Sequence, residues 1–258
     1  MEYFKIQKSE GNIVSCVKEI PENAHGIVIA IHGFSSSKEC GTYQVLLRRL
    51  PAAGYGMIGI DLPGHGTEES AQETLRIEAC KNSLAAAEAY AAAQYPDLPI
   101  CYFASSFGAY ITGLYVSTRE HRGRKAFFRS AAVNMPTLFV KENPSEADRG
   151  ILAELEKKGW FDAQVDFGNP VRITREMYHD LEISDLFQIF DPEAFGGIRV
   201  RMAHGAEDRV IDPKAAMKFA ESFNIPITVF ENEGHSLAGH PDTPDRVADL
   251  ALSFYEES

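Results

Sequence analysis

Residues 103–110 read FASSFGAY, and they stand where an apolar run ends and a helical pattern begins. The apolar run covers residues 100–104 and suits a strand that is buried on both faces. The helical pattern covers residues 107–118, where apolar side chains recur at the spacing of one buried helix face. These are Phe107, Tyr110, Ile111, Leu114 and Tyr115. The sequence therefore predicts a strand that turns directly into a helix at the pair Ser105-Ser106.

Strand and helix patterns alternate on both sides of this turn. Apolar runs predict strands at residues 27–31, 57–60, 100–104, 126–128 with a further run at 131–133, 198–203 and 227–230. Helical patterns lie between them at residues 43–50, 75–94, 107–118, 213–223 and 244–255. Such alternation implies right-handed crossovers between parallel strands. We therefore predict an α/β fold with a mostly parallel sheet, helices on both faces, and ligands bound at the carboxyl ends of the strands.

The first residues follow a different pattern. Residues 3–8 and 12–19 flank a turn signal at Glu10-Gly11. Two β patterns on either side of a turn predict an antiparallel hairpin, which we place at an edge of the sheet.

The alternation also stops between residues 134 and 197. This interval holds a helical run at 148–158 and many aromatic residues, among them Trp160. We predict that it is an inserted cap subdomain, and that residues 1–133 and 198–258 form the core. Trp160 is the aromatic residue that we expect to contact a substrate.

Composition restricts the class of partner. The net charge of −12 and the pI near 5.1, with no cluster of Lys and Arg, argue against nucleic acid and anionic lipid. The sequence shows neither a leader pattern nor a long apolar span, which predicts a soluble cytoplasmic protein without a membrane partner. Its four cysteines are scattered and its eight histidines show no metal-ligand spacing, so we expect reduced thiols, no metal and no cofactor. Oligomeric state stays open.

The two serines differ in their neighbours. A nucleophile on a strand-to-helix turn needs small residues two positions before and two positions after it. Ser106 has Ala104 and Gly108 there, whereas Ser105 has Phe103 and Phe107. Ser106 is therefore the candidate nucleophile. The alternative is that both serines merely cap the helix.

A serine nucleophile needs a histidine base and a carboxylate that holds the histidine in one tautomer. Asp208 follows the strand predicted at 198–203, and His235 follows the strand predicted at 227–230, so both should lie at the same sheet edge as Ser106. Their competitors are Glu207, Asp212 and His240, of which Asp212 is explained by capping the next helix. We expect His204 to serve packing.

An oxyanion needs two preorganised N–H donors. His32-Gly33-Phe34 follows the strand predicted at 27–31, so the backbone N–H groups of Phe34 and Phe107 are the predicted donors. An ordinary glycine turn is the other interpretation of His32-Gly33.

Five segments together resemble the α/β-hydrolase superfamily over about residues 26–257: IHGF at 31–34, DLPGHG at 61–66, ASSFG at 104–108, HGAEDRVI at 204–211 and EGHS at 233–236. Within it the chain resembles bacterial serine esterases, including feruloyl and cinnamoyl esterases, and more distantly monoacylglycerol lipases and prolyl aminopeptidases. The resemblance implies an eight-stranded, mostly parallel sheet, a cap formed by the insertion, and no cofactor. Ala104 departs from the glycine that usually stands at that position.

The expected function is hydrolysis of carboxylic esters of small substrates, aromatic or short-acyl, through an acyl-enzyme on Ser106. Three alternatives remain open at this point. They are an aminopeptidase of the prolyl aminopeptidase type, a carbon–carbon bond hydrolase, and a non-catalytic small-ligand receptor on the same fold.

Overall fold

The computed structural model describes residues 1–9, 11–66, 69–140, 143–163 and 168–257. Its strands are β1 (Glu2–Gln7), β2 (Ile13–Glu19), β3 (Gly26–Ile31), β4 (Tyr55–Ile60), β5 (Ile100–Ser105), β6 (Gly123–Arg129), β7 (Trp160–Ala163), β8 (Val171–Thr174), β9 (Arg199–Gly205) and β10 (Ile227–Phe230). Its helices are α1 (Gly41–Ala52), α2 (Glu69–Gln72), α3 (Ile77–Gln94), α4 (Phe107–Thr118), α5 (Met135–Phe139), α6 (Glu146–Lys158), α7 (Arg175–Ile183), α8 (Leu186–Ile189), α9 (Pro213–Ser222) and α10 (Thr243–Glu256).

Eight strands form one sheet in the order β1-β2-β4-β3-β5-β6-β9-β10. Strand β2 pairs antiparallel with β1 and β4, and the remaining neighbours in this sheet, β4-β3-β5-β6-β9-β10, pair parallel. The predicted α/β fold and the hairpin at the sheet edge are confirmed. Glu10, in the predicted turn of that hairpin, lies outside the described residues.

The sheet is buried on both faces, because successive residues of a strand point to opposite sides. Phe128 belongs to the cluster under α3, α4 and α9, whereas Phe127 belongs to the cluster under α1 and α10. The central strands β3, β4 and β5 are buried at every position. Across the described ranges, no helix combines the length and apolar character that a bilayer crossing requires.

The apolar run at residues 131–133 is not a strand, which corrects the prediction. Ser130 has a positive φ of 47° and turns the chain away from the end of β6. Ala131, Ala132 and Val133 remain buried, and the Ala132 N–H donates to the carbonyl of Ser106 at 3.2 Å. Their apolar character therefore reflects packing beside Ser106.

The interval 134–197 interrupts the alternation as predicted, but it also contains a hairpin that the sequence did not indicate. Strands β7 and β8 pair antiparallel, with Trp160 opposite Thr174. The insertion packs on helix α4, where the hydroxyl of Tyr110 donates to the carbonyl of Ser184 at 2.7 Å. Its separation from the core as a cap stays a prediction.

Two neutral histidines lie beneath the loops that follow β3 and β4. The Nδ1–H of His32 donates to the Gly33 carbonyl at 2.7 Å, while its Nε2 accepts the Leu62 N–H at 3.0 Å. His65 lies beside it, with ring centroids 5.2 Å apart. Burial lowers the pKa of His32 to about 4 and that of His65 to about 3. Both rings therefore stay uncharged in the folded protein at neutral pH.

The depressed pKa of His65 predicts acid sensitivity of the fold. Below pH 6.5, the ordinary pKa of this side chain, His65 binds a proton in the unfolded chain but not in the folded chain. The free energy of unfolding therefore decreases as the pH falls from 6.5 toward 3. Each such histidine contributes a slope of about 1.4 kcal/mol per pH unit. When unfolding in urea is measured between pH 6.5 and 4.5, the free energy of unfolding of His65→Asn should decrease with falling pH less steeply than that of wild type, by about that slope. His240→Asn, at an exposed position, is the control. Equal slopes in wild type and His65→Asn would contradict the prediction.

Candidate active site

Ser106 sits in a strained backbone turn between β5 and α4. Its φ of 50° and ψ of −114° lie in a region that costs a side-chain-bearing residue about 1–3 kcal/mol. Four hydrogen bonds over-determine this turn. The Ser106 N–H donates to the Arg129 carbonyl at 2.9 Å, and the Ser106 carbonyl accepts the N–H groups of Ala109, Tyr110 and Ala132.

The small residues around Ser106 allow α4 to approach the end of β3. A Cβ at Gly108 would lie 2.5 Å from the carbonyl oxygens of Ile31 and His32, which is far inside contact distance. Ala104 is fully buried opposite Ile31 and Phe128 in the neighbouring strands, so the sheet accommodates its methyl group.

The two serine hydroxyls have different surroundings. The Ser106 Oγ lies 2.9 Å from Nε2 of His235. The Ser105 Oγ is buried and has no hydrogen-bond partner among the described residues. Only the Ser106 hydroxyl is therefore positioned to pass its proton to a histidine.

His235 connects Ser106 to Asp208. Its Nδ1 lies 2.7 Å from Oδ2 of Asp208, so the carboxylate accepts the Nδ1–H and leaves Nε2 free to accept the serine proton. The hydroxyl of Ser130 donates to the His235 carbonyl at 2.8 Å and holds this loop against β6. The three side chains that the sequence singled out form one continuous hydrogen-bonded chain.

Asp208 receives more donors than His235 alone. Its Oδ1 accepts the N–H groups of Val210 and Ile211, and Nε2 of the fully buried His204 lies 3.1 Å from its Oδ2. Burial raises the pKa of Asp208, but the hydrogen bonds from His204 and His235 outweigh it and hold the pKa well below its usual range. The carboxylate is therefore ionised at neutral pH. The contact of His204 with Asp208 goes beyond the packing role expected from the sequence.

The competing residues lie elsewhere. Glu207 and His240 are exposed. Asp212 caps α9, because its Oδ1 accepts the Lys214 N–H at 2.9 Å, as the sequence predicted. In the part of the chain that the structure describes, no three His, Cys, Asp or Glu side chains converge in an arrangement that could hold a metal ion.

The loop after β3 lies against the nucleophile turn. A Cβ at Gly33 would be 3.1 Å from Cβ of Ser106, which places the neighbouring Phe34 backbone beside the serine. Within the described ranges, the N–H groups of Phe34 and Phe107 donate to no acceptor. Phe107 is also the first residue of α4, where the partial positive charge of the helix favours negative charge. The pair could stabilise a developing negative oxygen.

A cavity of about 400 Å³ opens onto Ser106 and His235. Apolar side chains of α1 and α10 form much of its wall, and β5 and β6 add polar ones. Its lining includes Val45, Leu46, Phe103, Ser105, Arg129, Leu237, Val247 and Ala248. A second cavity, of about 650 Å³, lies between the 35–37 loop and the β8 side of the insertion, and neither Ser106 nor His235 lines it.

Trp160 is not among the residues that line the Ser106 cavity. Its ring packs against the guanidinium of Arg172 at 3.7 Å, and the ammonium of Lys158 lies 5.4 Å from its centroid. These two cations belong to the insertion itself. The structure therefore does not bring Trp160 to the site formed by Ser106, His235 and Asp208.

Comparison with protein families gives a match over residues 22–181 to the family described as serine aminopeptidase, S33. No curated protein matches the sequence. The matched segment includes the Phe34 loop and Ser106 and ends before Asp208 and His235.

Solved structures align with nearly the whole chain. A protein from Agrobacterium vitis S4 described as a hydrolase is 17% identical, with 99% of this chain and 98% of that chain covered and a TM-score of 0.79. Est1E from Butyrivibrio proteoclasticus with ferulic acid bound is 15% identical, with coverages of 99% and 98% and a TM-score of 0.76. A thermostable carboxyl esterase from Bacillus coagulans is 15% identical, with coverages of 98% and 97% and a TM-score of 0.72. At these identities the likeness shows the shared fold.

The close approach at Gly108 predicts a large effect of one methyl group. Gly108→Ala should lower the free energy of unfolding by about 1–3 kcal/mol, because its Cβ meets backbone carbonyls that cannot move aside. Gly150→Ala is the matched control, since a Cβ there meets nothing within 4 Å on the exposed α6 and should leave stability unchanged or raise it. Urea denaturation of both variants measures the difference. Wild-type stability of Gly108→Ala would show that α4 is free to shift.

Proposed function

The chain belongs to the serine aminopeptidase, S33, family and has the α/β-hydrolase fold, and from this premise we propose that it hydrolyses carboxylic esters through Ser106, His235 and Asp208. The observation that carries the proposal is the continuous chain from Ser106 Oγ to His235, at 2.9 Å, and from His235 to Asp208, at 2.7 Å. The esterases among the structural neighbours support an ester as the substrate.

The first step forms an acyl-enzyme. Nε2 of His235 accepts the hydroxyl proton as Ser106 Oγ attacks the ester carbonyl. The N–H groups of Phe34 and Phe107 stabilise the negative oxygen of the tetrahedral intermediate. The Asp208 carboxylate keeps the proton of His235 on Nδ1 and stabilises the imidazolium that forms.

The acyl-enzyme is complete when the imidazolium of His235 gives its proton to the departing alcohol and the carbon–oxygen bond breaks. The second step, hydrolysis, releases the acid. His235 then accepts a proton from a water molecule that attacks the acyl-enzyme, and Ser106 regains its hydroxyl proton. The reaction consumes one water and needs no further reactant.

We assign the insertion, residues 134–197, to a cap beside this site. The Phe139 ring of α5 contacts the Phe34 ring, with centroids 5.9 Å apart, and Phe34 contacts Phe107 at 5.8 Å. The insertion thus contacts Phe34 directly and reaches Phe107 through the Phe34 ring. This contact supports a role for the insertion in shaping access to the nucleophile.

The charge of the cavity favours an ester over the substrate of an aminopeptidase. An aminopeptidase has to bind a free ammonium group, which requires an available carboxylate. Of the described residues that line the Ser106 cavity, Arg129 is the one permanently charged side chain, beside the imidazoles of His32 and His235. Asp208 is already occupied by its own donors. A cationic wall repels an ammonium group.

The Ser106 nucleophile predicts unequal effects of two neighbouring substitutions. Ser106→Ala should lower kcat on p-nitrophenyl butyrate by on the order of 10⁴-fold or more. Ser105→Ala should keep kcat within about threefold of wild type, because its Oγ has no hydrogen bond to lose. Parallel initial rates measure both. Similar losses in the two variants would refute the assignment of Ser106.

His204 acts as a positioning residue for Asp208 in this scheme. Because its N–H lowers the pKa of Asp208, His204→Phe should raise that pKa and leave the ionised carboxylate a stronger acceptor for the His235 Nδ1–H. A stronger acceptor stabilises the imidazolium and should move the acid limb of kcat/KM to higher pH. We expect kcat to fall about tenfold with little change in KM, since substrate contacts are untouched. His204→Gln retains an N–H donor and should restore much of the wild-type pH profile. An unchanged acid limb in His204→Phe would remove the positioning role.

A further inference from the structure

Arg129 lies at the carboxyl end of β6, directly beside the nucleophile turn. It is the register partner of Ser105, and its carbonyl accepts the N–H of Ser106 at 2.9 Å. Because residues two apart on a strand share a face, its side chain leaves the sheet on the same side as Phe127, toward α1 and α10. Arg129 lines the cavity that holds Ser106 and His235.

The Arg129 guanidinium has no hydrogen-bond or ion-pair partner among residues 1–9, 11–66, 69–140, 143–163 and 168–257. Asp208 and Glu233 are the carboxylates that act on it electrostatically. The Asp208 carboxylate accepts hydrogen bonds from His235, His204 and two backbone N–H groups. The Glu233 carboxylate accepts hydrogen bonds from the N–H groups of Gly239 and His240 and from the hydroxyl of Thr243. Both carboxylates are committed to holding loops.

An unpaired cation in such a cavity is costly. Arg129 is half-buried, and the part of its guanidinium that is removed from water without a partner loses hydration that nothing replaces. Burial lowers the pKa of Arg129 to about 10, so the group still carries its full charge at neutral pH. An arginine that keeps its charge in a largely apolar cavity is suited to a planar anion, which its fork of donors binds in a bidentate manner.

We propose that the Arg129 guanidinium binds a carboxylate carried by the substrate, so that the enzyme hydrolyses half-esters of short dicarboxylic acids. The ester carbonyl lies at Ser106, the free carboxylate at Arg129, and the methylene chain between them against the apolar wall of Val45, Leu46 and Val247. A cavity of about 400 Å³ suits a ligand of this size. The inference rests on the proposed esterase function and names its substrate class.

The reaction balances with water alone. The bond between the acyl carbon and the alkoxy oxygen breaks, the acyl carbon gains the oxygen of water, and the alcohol leaves with a proton. The second proton of water is released when the new carboxyl group ionises, so the products are the alcohol, a dicarboxylate and a proton. The free carboxylate at Arg129 takes no part in bond making or breaking, so Arg129 determines specificity.

The kinetic test compares two esters that differ in one charged group. Monoethyl glutarate carries a carboxylate where ethyl valerate carries a methyl group. Wild type should hydrolyse monoethyl glutarate with a kcat/KM at least about tenfold higher, because a charge-assisted pair forms only with that ester. In Arg129→Met the ratio of the two kcat/KM values should fall to about one. Arg124→Met, which removes an exposed arginine from the same strand, should keep the wild-type ratio.

A binding test separates this inference from the proposed function, since it needs no turnover. Glutarate should bind Ser106→Ala at least about tenfold more tightly than it binds the Ser106→Ala/Arg129→Met double variant in calorimetry. Arg129→Lys, which keeps the charge without the fork, should give an intermediate affinity, and thermal melting checks that each variant is folded.

The two tests distinguish failure of the carboxylate site from failure of the esterase function. Equal ratios in wild type and Arg129→Met, or equal glutarate affinities, would overturn the carboxylate site, while Ser106-dependent hydrolysis of ethyl valerate would still support the esterase. Loss of glutarate affinity in the double variant would support the site even if no ester were hydrolysed, in which case the proposed function alone would fail.

Discussion

A single residue, Ser106, separates the end of β5 from the start of α4, and the organisation of the site depends on this abrupt transition. The transition requires the positive φ of Ser106, and it requires Gly108 because the helix presses on the carbonyls of Ile31 and His32. The same pressing contact brings the loop after β3 against Ser106. The strain in one residue and the absence of one Cβ therefore bring the turn at Ser106, the first turn of α4 and the loop after β3 together.

At the carboxyl edge of the sheet, two carboxylates are fully engaged in hydrogen bonds. Asp208 and Glu233 follow neighbouring strands, and each carboxylate is saturated by N–H or O–H groups of its own loops. Saturation fixes the loop that carries His235, and it withholds both carboxylates from Arg129. The cavity thus keeps a positive wall in a protein whose overall net charge is −12.

The sequence predicts those features best that depend on residues close together in the chain. Strands buried on both faces appear as apolar runs, and the turn at Ser106 shows itself through Ala104 and Gly108, so the sheet and the order of Ser106, Asp208 and His235 could be predicted. Hairpin β7–β8 could not, because its strands have only four residues each. The contact of His204 with Asp208 and the register of Arg129 beside Ser105 arise between elements, and no local pattern signals them. An aromatic residue such as Trp160 suggests a ligand contact by composition, but its partner is decided by the strand register that sets Arg172 against it.

Because of Glu233, the α10 wall of the cavity can change less freely than the α1 wall. Its carboxylate ties the loop that carries His235 to Thr243, the first residue of α10, so this wall and the imidazole form one mechanical unit. Reshaping the cavity through α10 therefore displaces the His235 imidazole as well. Helix α1 carries no such tie to His235 among the described residues, and its side chains Val45 and Leu46 reach the same cavity. Substitutions in α1 can thus reshape the cavity while the hydrogen bonds of His235 to Ser106 and Asp208 keep their geometry.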